Sequence, residues 1–215
     1  MSGGDLVLHG YWRSTASYRL RIALNLKGLA YRQVAHDLRR GDQSAPDYLA
    51  MNPQGLVPAL EAEGHTLIQS PAILEWLEER YPQPPLLPAG AGARASVRAM
   101  VALICCDIHP LNNLRVLRSL RHDLGADPEQ VSEWIARWIS SGFAALERLV
   151  GRDGGAFAFG DAPSLADCCL VPQVYSAERY GVSLEPFPRI VACARHCATV
   201  EAFRSADPAL QPDAD

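Results

Sequence analysis

The chain has 215 residues, of which 48% are hydrophobic and 20% charged, and its formal net charge is −4 at pH 7. This length and composition predict one large or two small globular domains with a substantial core. The acidic balance and the absence of a Lys/Arg cluster argue against nucleic-acid binding, and the apolar runs are too short to span a bilayer. The opening residues MSGGD lack the basic and apolar regions of a signal peptide, so we expect a cytoplasmic protein.

The chain opens with a predicted strand, a tight turn and a helix. Leu6–Leu8 is expected to be a short buried strand, and apolar residues then recur at helical spacing until about Gly28. Between them, Ser14, Thr15 and Ser17 can accept hydrogen bonds from the free N–H groups of a first helical turn. A helix N-terminus carries partial positive charge, so this hydroxyl cluster would stabilise an anion. A plain N-cap without a ligand explains the same residues, and this stretch alone leaves both interpretations open.

The next segment predicts two further strands and their connections. Tyr31–Ala35 alternates like a strand, and a polar stretch with at most a short helix near Asp47–Met51 follows it. Leu56–Leu60 is predicted to be a strand whose hairpin partner is Thr66–Ile68. Because the proline within it, Pro58, cannot donate to a strand ladder, we expect an edge position, a special turn or a cis bond to the preceding valine.

A helix capped by Ser70 is predicted to run from Pro71 to about Arg80, with proline at its first position. Residues 83–93 belong to a Pro/Gly-rich linker, which divides the chain into predicted domains 1–82 and 94–215. Beyond the linker the pattern is helical. The predicted elements are a long helix over 94–122 kinked at Pro110, a helix from Asp127 to about Val150, a helix opened by the capping box Ser164–Asp167, short helices after Pro188, and a fraying tail from Asp207.

The six cysteines form no CxxC motif, and none of them precedes Cys105. Without a secretory signal they are expected to be reduced core thiols. The six histidines show no HxxxH or HExxH spacing, so no metal site is predicted. The hydroxyl cluster at Ser14 therefore has no protein thiol beside it in sequence.

Five stretches occur in an order typical of one family: YWRSTASYRLRIALNLKG, NPQGLVPAL, LIQSPAILEWLEERYP, DIHPLNNLRVL and FGDAPSLADCCLVPQV. Over essentially its whole length the chain resembles the cytosolic glutathione transferases, and more narrowly their zeta class of maleylacetoacetate and maleylpyruvate isomerases. The resemblance implies an α/β plus all-α fold, with a thioredoxin-like domain (β-α-β-α-β-β-α) followed by a helical bundle. It also implies glutathione as the cofactor and a homodimeric state.

The resemblance assigns activation of the glutathione thiol to Ser14, with Thr15 beside it. Tyr11 is the rival activator, because other transferase classes use a tyrosine at the end of the first strand. Ala16 stands where the zeta pattern usually has a cysteine, but the bound cofactor would itself bring the sulfur. The remaining implied contacts are Ser17, Gln43, Gln54, Val57, Pro58, Gln69, Ser70, His109 and Asn113 for glutathione, and Arg13, Arg115 and Arg179 for the substrate carboxylates. Arg13 is also expected to be catalytic, because the intermediate carries additional negative charge.

The implied reaction is cis–trans isomerisation: a thiolate adds to the cis double bond, the resulting single bond rotates, and expulsion of glutathione leaves the trans isomer. Maleylacetoacetate, from tyrosine and phenylalanine breakdown, is the expected substrate because HPLNNLRVL resembles that branch. Maleylpyruvate, from gentisate breakdown, is the alternative. Conjugation or dehalogenation of small α-halo acids and a non-catalytic binding module are further alternatives, and His109 and Arg179 also fit purely structural roles.

Overall fold

The computed structural model describes residues 6–215, and the prediction made for MSGGD lies outside the described residues. The chain forms two compact units. One contains the chain up to Leu86 together with Ala198–Asp215, and the other is Leu87–Cys197.

The first unit is built on a four-stranded sheet with the spatial order β2-β1-β3-β4. β1 runs parallel to β2 and antiparallel to β3, which forms a hairpin with β4. The predicted thioredoxin-like order β-α-β-α-β-β-α is confirmed. Its elements are β1 (Leu6–Gly10), α1 (Thr15–Leu26), β2 (Tyr31–Ala35), α2 (Pro46–Met51), β3 (Ala59–Ala62), β4 (His65–Ile68) and α3 (Ser70–Arg80).

The core of this unit follows from its apolar patterns. β1 is buried along its whole length, as a central strand covered on both faces must be. α1 packs against α3. Their apolar side chains are withdrawn from water, which is the main favourable term in folding. The fully buried ones are Leu20, Ile22, Ala23 and Leu24 of α1 and Ile73, Leu74 and Leu77 of α3.

The third strand begins later than the sequence predicts. We expected it over Leu56–Leu60, but β3 starts at Ala59. Pro58 has no N–H to give to a ladder, so pairing begins only after it. The expected cis bond between Val57 and Pro58 is present.

The second unit is helical. The predicted single helix over 94–122 is wrong, because the chain leaves the helix around Pro110 and becomes extended at Asn113, which accepts a hydrogen bond from the Arg115 N–H and caps a new helix. The elements are α4 (Ala91–Ala102), a π-helical turn (Leu103–Ile108), a 3₁₀ turn (His109–Asn112), α5 (Leu114–His122), α6 (Pro128–Asp153), α7 (Leu165–Arg179) and α8 (Pro188–Cys197). Among the described residues, none of these helices combines the length and apolar character needed to cross a bilayer.

The C-terminal segment differs from its prediction. We expected residues 198–215 to belong to the helical domain and to fray from Asp207, but they pack on the first unit after a short helix, α9 (Glu201–Arg204). The Asn25 side chain donates to the Ala202 carbonyl, and Gln33 donates to the buried Gln211 side chain. These side-chain contacts hold the tail in place.

Candidate functional site

The turn between β1 and α1 presents Ser14 at a helix N-terminus. Ser14 is half-buried and extended, its Oγ accepts from the Ser17 N–H at 3.2 Å, and its own N–H donates to the Tyr11 carbonyl at 3.0 Å. A serine hydroxyl keeps one O–H donor after accepting such a bond. The predicted N-cap is confirmed, and its hydroxyl can still donate to an anion beside the positive end of α1.

Two other hydroxyls of this turn are enclosed. Ser17 has no exposed surface, and its Oγ accepts from the Tyr11 N–H at 3.4 Å. A Cβ added at Gly10 would lie 3.0 Å from that Oγ, so a larger residue there would require the Ser17 side chain to shift. This side chain supports the turn, and the glutathione contact that the resemblance implies for Ser17 stays a prediction. Thr15 is also buried, and its catalytic role stays a prediction.

Arg13 and Tyr11 flank the turn differently. The Arg13 Cζ lies 5.2 Å from the Trp12 ring centroid and 6.0 Å from that of Tyr11, within the range of cation–π attraction. The Tyr11 hydroxyl is buried and makes no hydrogen bond among the described residues. Of the two activators considered, Ser14 is therefore the one whose side chain reaches the surface.

The loop before Pro58 forms a second part of the candidate site. The side chains of Tyr48 and Asn52 both donate to the Leu56 carbonyl, at 2.7 Å and 2.6 Å. Burial raises the pKa of Tyr48 to about 12, so its hydroxyl stays protonated and able to donate. Within residues 6–215, no backbone hydrogen bond uses the N–H or C=O of Val57. This peptide unit is fixed in position and can pair with an extended peptide as a strand edge does.

Gln54, which lies in this loop, and Gln69 are both predicted from the sequence to contact glutathione, and their side chains are in contact with each other. The Gln69 Nε2 donates to the Gln54 Oε1 at 2.5 Å, and both side chains are exposed. Gln43 is close by, since its carbonyl oxygen would lie 3.3 Å from a Cβ at Gly55. The predicted capping role of Ser70 is wrong: Gln69 occupies the N-cap without a side-chain cap bond, and Ser70 is the first residue of α3.

Arg19 is a residue that the sequence analysis missed. It is 2% exposed, and its Nη1 donates to the Ser70 Oγ at 3.1 Å. Its Nε and Nη2 are buried without a hydrogen-bond partner among the described residues. An arginine on the buried face of α1 is the signal that could have drawn attention to it. It places a positive charge behind the N-terminus of α3, where an anion is also favoured by the helix dipole.

A cluster of His9, His36 and Glu61 lies on the sheet beside the Ser14 turn, and the sequence gives no local sign of it. The His9 Nε2 is 2.5 Å from the Glu61 Oε1, and its Nδ1 is 3.0 Å from the His36 Nε2. The His36 ring packs 4.4 Å from the Tyr48 ring. Burial, and then the neighbouring His9, lower the pKa of His36, while Asp42 acts in the opposite direction.

This lowered pKa makes stability depend on pH. As pH falls through the ordinary histidine value of about 6.5, the unfolded chain gains a proton at His36 that the folded chain does not, so the free energy of unfolding decreases. We expect His36→Gln to flatten this decrease between about pH 7.5 and about pH 5.5, measured by urea unfolding. His65→Gln, at an exposed position of β4, is the matched substitution. An unchanged slope in His36→Gln would contradict this assignment.

The remaining predicted residues lie in the second unit. His109 begins the 3₁₀ turn and is half-buried, and Asn113 is the N-cap of α5. Arg115 and Arg179 are exposed, and the Arg179 Cζ lies 5.0 Å from the Tyr180 ring centroid. Their contacts with glutathione or substrate stay predictions.

The second unit also holds every cysteine of the chain, and none of the six, all of which the structure describes, forms a disulfide. Four are buried, and burial raises the pKa of Cys193 to about 11, which keeps that thiol protonated and unreactive. In the part of the chain that the structure describes, no group of three His, Cys, Asp or Glu side chains is arranged to hold a metal ion.

Comparisons with known proteins agree with the fold. Residues 8–85 match the family described as "Glutathione S-transferase, N-terminal domain", and residues 128–210 match its C-terminal domain. A maleylacetoacetate isomerase of Pseudomonas aeruginosa is 55% identical over 209 residues, covering 96% of this chain and 97% of the relative. A maleylpyruvate isomerase of a Ralstonia species is 52% identical over 208 residues, covering 96% and 98%.

Two solved structures are similar throughout. The holo structure of a maleyl pyruvate isomerase, described as a bacterial glutathione S-transferase of the zeta class, has a TM-score of 0.95 and 52% identity, covering 97% of this chain and 100% of that one. A maleylacetoacetate isomerase of Anaeromyxobacter dehalogenans, with glutathione bound in its active site, has a TM-score of 0.89 and 46% identity, covering 98% of each chain.

Proposed function

This chain belongs to the glutathione S-transferase family, and from that premise we propose that it is a glutathione-dependent cis–trans isomerase of the zeta class. The observation that carries the proposal is the position of Ser14. Its hydroxyl stands at the N-terminus of α1, in a unit that contains no cysteine. A site built to stabilise a thiolate but lacking a thiol of its own fits a sulfur brought by a bound cofactor.

The residues of the first unit fit glutathione, an extended peptide with two carboxylates. The Val57 peptide beside Pro58, which makes no backbone hydrogen bond within the described residues, would pair with the cysteinyl unit. The γ-glutamyl carboxylate would sit at the N-terminus of α3, with Ser70 in front and the buried Arg19 guanidinium behind it. Further contacts would come from Gln43, Gln54 and Gln69, and from His109 and Asn113 of the second unit.

Each residue of the turn then has a separate task. When bound, glutathione supplies a thiolate nucleophile that adds reversibly to the substrate double bond. The Ser14 O–H would donate to the sulfur, and together with the α1 N-terminus it would lower the pKa of the thiol from its usual ~8.5. Thr15 would support this environment, and Arg13 would stabilise the substrate carboxylate and the negative charge that develops during the reaction. Arg115 and Arg179 are the further candidates for the substrate carboxylates.

Arg13 should act on substrate binding more than on the thiol. We expect Arg13→Ala to raise the KM for the diacid by about tenfold to a hundredfold, because a charge-assisted hydrogen bond to a carboxylate contributes about 1.5–3 kcal/mol. Arg13→Lys keeps the charge, so its KM for the diacid should lie between the values of the wild type and Arg13→Ala. Steady-state kinetics with the diacid varied at saturating glutathione measure this effect. A change confined to the KM for glutathione would contradict the assignment.

For the substrate we propose maleylacetoacetate, as in the 55% identical relative named for it. Maleylpyruvate is the second candidate, favoured by the similarity to the Ralstonia enzyme and to the zeta-class holo structure. The test compares kcat/KM for the two cis acids and for a small α-halo acid, all with glutathione. A higher value for maleylpyruvate would select the second candidate, and turnover of the halo acid alone would replace isomerisation with dehalogenation.

We also propose a cytoplasmic homodimer. The similarity over the whole chain to relatives of this family supports it. Light scattering coupled to gel filtration measures the mass directly, and a value near the 23.4 kDa of one chain would rule out the dimer.

A further inference from the structure

The peptide units on both sides of Trp12 are held by two side chains, one from α1 and one from the C-terminal segment. The Trp12 N–H donates to the Asp213 Oδ2 at 2.9 Å, and the Trp12 carbonyl accepts from the Arg21 Nη2 at 2.9 Å. Trp12 directly precedes Arg13 and Ser14, so the orientation of its two peptide planes sets where those two side chains begin.

Arg21 joins this turn to the tail from inside the unit. Its side chain is 1% exposed, and its Nε donates to the Ala206 carbonyl at 3.0 Å. Burial lowers the pKa of Arg21 to about 10, so the guanidinium still carries its charge at neutral pH. One buried cation thus binds the active-site turn and the C-terminal segment at the same time.

The tail is anchored by polar contacts close to Asp213. The Gln211 Nε2 donates to the carbonyls of Ser205 and Asp207, and its Oε1 accepts from the Gln33 Nε2 at 3.0 Å. A cavity of about 460 Å³ lies against this part of the tail, lined by Gly10, Tyr31, Gln33, Val34, Ala35, Pro212 and Asp213. Phe203 and Ala206 bury the earlier part of the segment, whereas at residues 212–213 the chain borders open space and is held by its hydrogen bonds.

We infer that Asp213, near the C-terminus, is a positioning residue for the active-site turn. Its carboxylate holds the Trp12 peptide, and through it the Arg13 guanidinium and the Ser14 hydroxyl, in the geometry that the reaction needs. A displacement of about 1 Å in such groups can cost up to about a hundredfold in rate. The inference rests on the proposed function for its catalytic consequence, while the tethering itself is a property of the free protein.

The test uses the full-length protein with Asp213→Ala, Asp213→Asn and, as the matched tail control, Asp215→Asn. Asp215 pairs with Arg39 at 2.5 Å and is not bonded to Trp12. We expect Asp213→Ala to lower kcat about tenfold, with the KM for glutathione within about twofold because the Val57 and Gln69 contacts lie elsewhere. Asp213→Asn, whose amide oxygen can still accept from the Trp12 N–H, should recover most of kcat, and Asp215→Asn should match the wild type.

Hydrogen–deuterium exchange of the peptide covering residues 11–16, without glutathione, gives a readout independent of activity. Asp213→Ala should exchange faster there, and Asp213→Asn should approach the wild-type rate. If Asp213→Ala does not fold, Asp213→Glu, with its carboxylate one methylene further out, should show the same faster exchange and lowered kcat.

Wild-type kcat and exchange in Asp213→Ala would overturn the inference, as would equal losses in Asp213→Ala and Asp215→Asn. A wild-type protein without glutathione-dependent turnover would instead overturn the proposed function. The exchange data would still show whether Asp213 holds the Trp12 peptide in place.

Discussion

Replacing Ser14 with alanine is expected to lower kcat by about 10²–10³-fold while leaving the KM for glutathione nearly unchanged. The Ser14 hydroxyl is the accessible donor at the α1 N-terminus, and loss of one preorganised donor to a reacting anion typically has an effect of this size. The glutathione backbone would be bound mainly at Val57 and at the start of α3, which the substitution does not touch. Steady-state kinetics measure kcat and the KM for glutathione. The ultraviolet absorbance of the bound thiolate measures how far the thiol is ionised.

Ser14 is also a helix cap, so the substitution needs controls that separate the two roles. Glycine at an N-cap is only a few tenths of a kcal/mol worse than serine, yet Ser14→Gly has no hydroxyl. We expect Ser14→Gly to be as slow as Ser14→Ala, and Ser14→Thr to keep much of the activity. Recovery in Ser14→Gly would show that helix capping, and not the hydroxyl donor, explains the loss. If Tyr11→Phe were the damaging change, the buried tyrosine would be the activator.

The largest stability effect is expected at Glu78. Its Oε2 lies 2.5 Å from the Nζ of Lys27, the only lysine of the chain, and accepts from the Leu86 N–H at 2.9 Å. The Lys27 ammonium also donates to the Pro84 carbonyl at 2.9 Å, and its side chain has no exposed surface. Glu78→Leu leaves this cation buried without its counterion and should reduce the free energy of unfolding by about 3–5 kcal/mol. Urea unfolding followed by circular dichroism measures the loss.

Two variants isolate the cause of that loss. The double replacement Lys27→Met with Glu78→Leu removes both charges and should recover most of the stability, since well-packed apolar pairs often replace buried ion pairs at little cost. Glu63→Gln breaks the exposed pair with Arg80, which has an N–O distance of 2.6 Å, and should change stability by less than about 1 kcal/mol. Equal losses in the free energy of unfolding from Glu78→Leu and Glu63→Gln would contradict the claim that burial of the Lys27–Glu78 pair causes the large effect.

The parts of the fold that the sequence predicts well are those set by neighbouring residues. The cap at Ser14 and the capping box Ser164–Asp167 each depend on side chains within three positions of one another, and both are present. The apolar pattern does not predict where β3 starts, because Pro58 has no N–H for the ladder. It does not predict the break before α5 either, because Asn113 is extended there and caps a new helix.

In the candidate site, too, features set by residues close in the chain are predicted better than those set by distant ones. Resemblance brings together Gln54 and Gln69, which are in contact, but it does not reveal that Ser17 is enclosed. Arg19 and Asp213 act through partners that are distant in the chain, Ser70 and Trp12. An arginine on the buried face of α1 is a local sign of Arg19, but the partners of Arg19 and Asp213 become visible only when the chain has folded.

The central claim is that the reactive sulfur comes from glutathione and is stabilised at Ser14. The direct measurement follows formation of the trans acid from the cis diacid in three conditions: with glutathione, with S-methylglutathione, and with neither. S-methylglutathione keeps the peptide and both carboxylates but has no ionisable thiol. We predict turnover with glutathione alone, and turnover in either of the other two conditions would contradict the account.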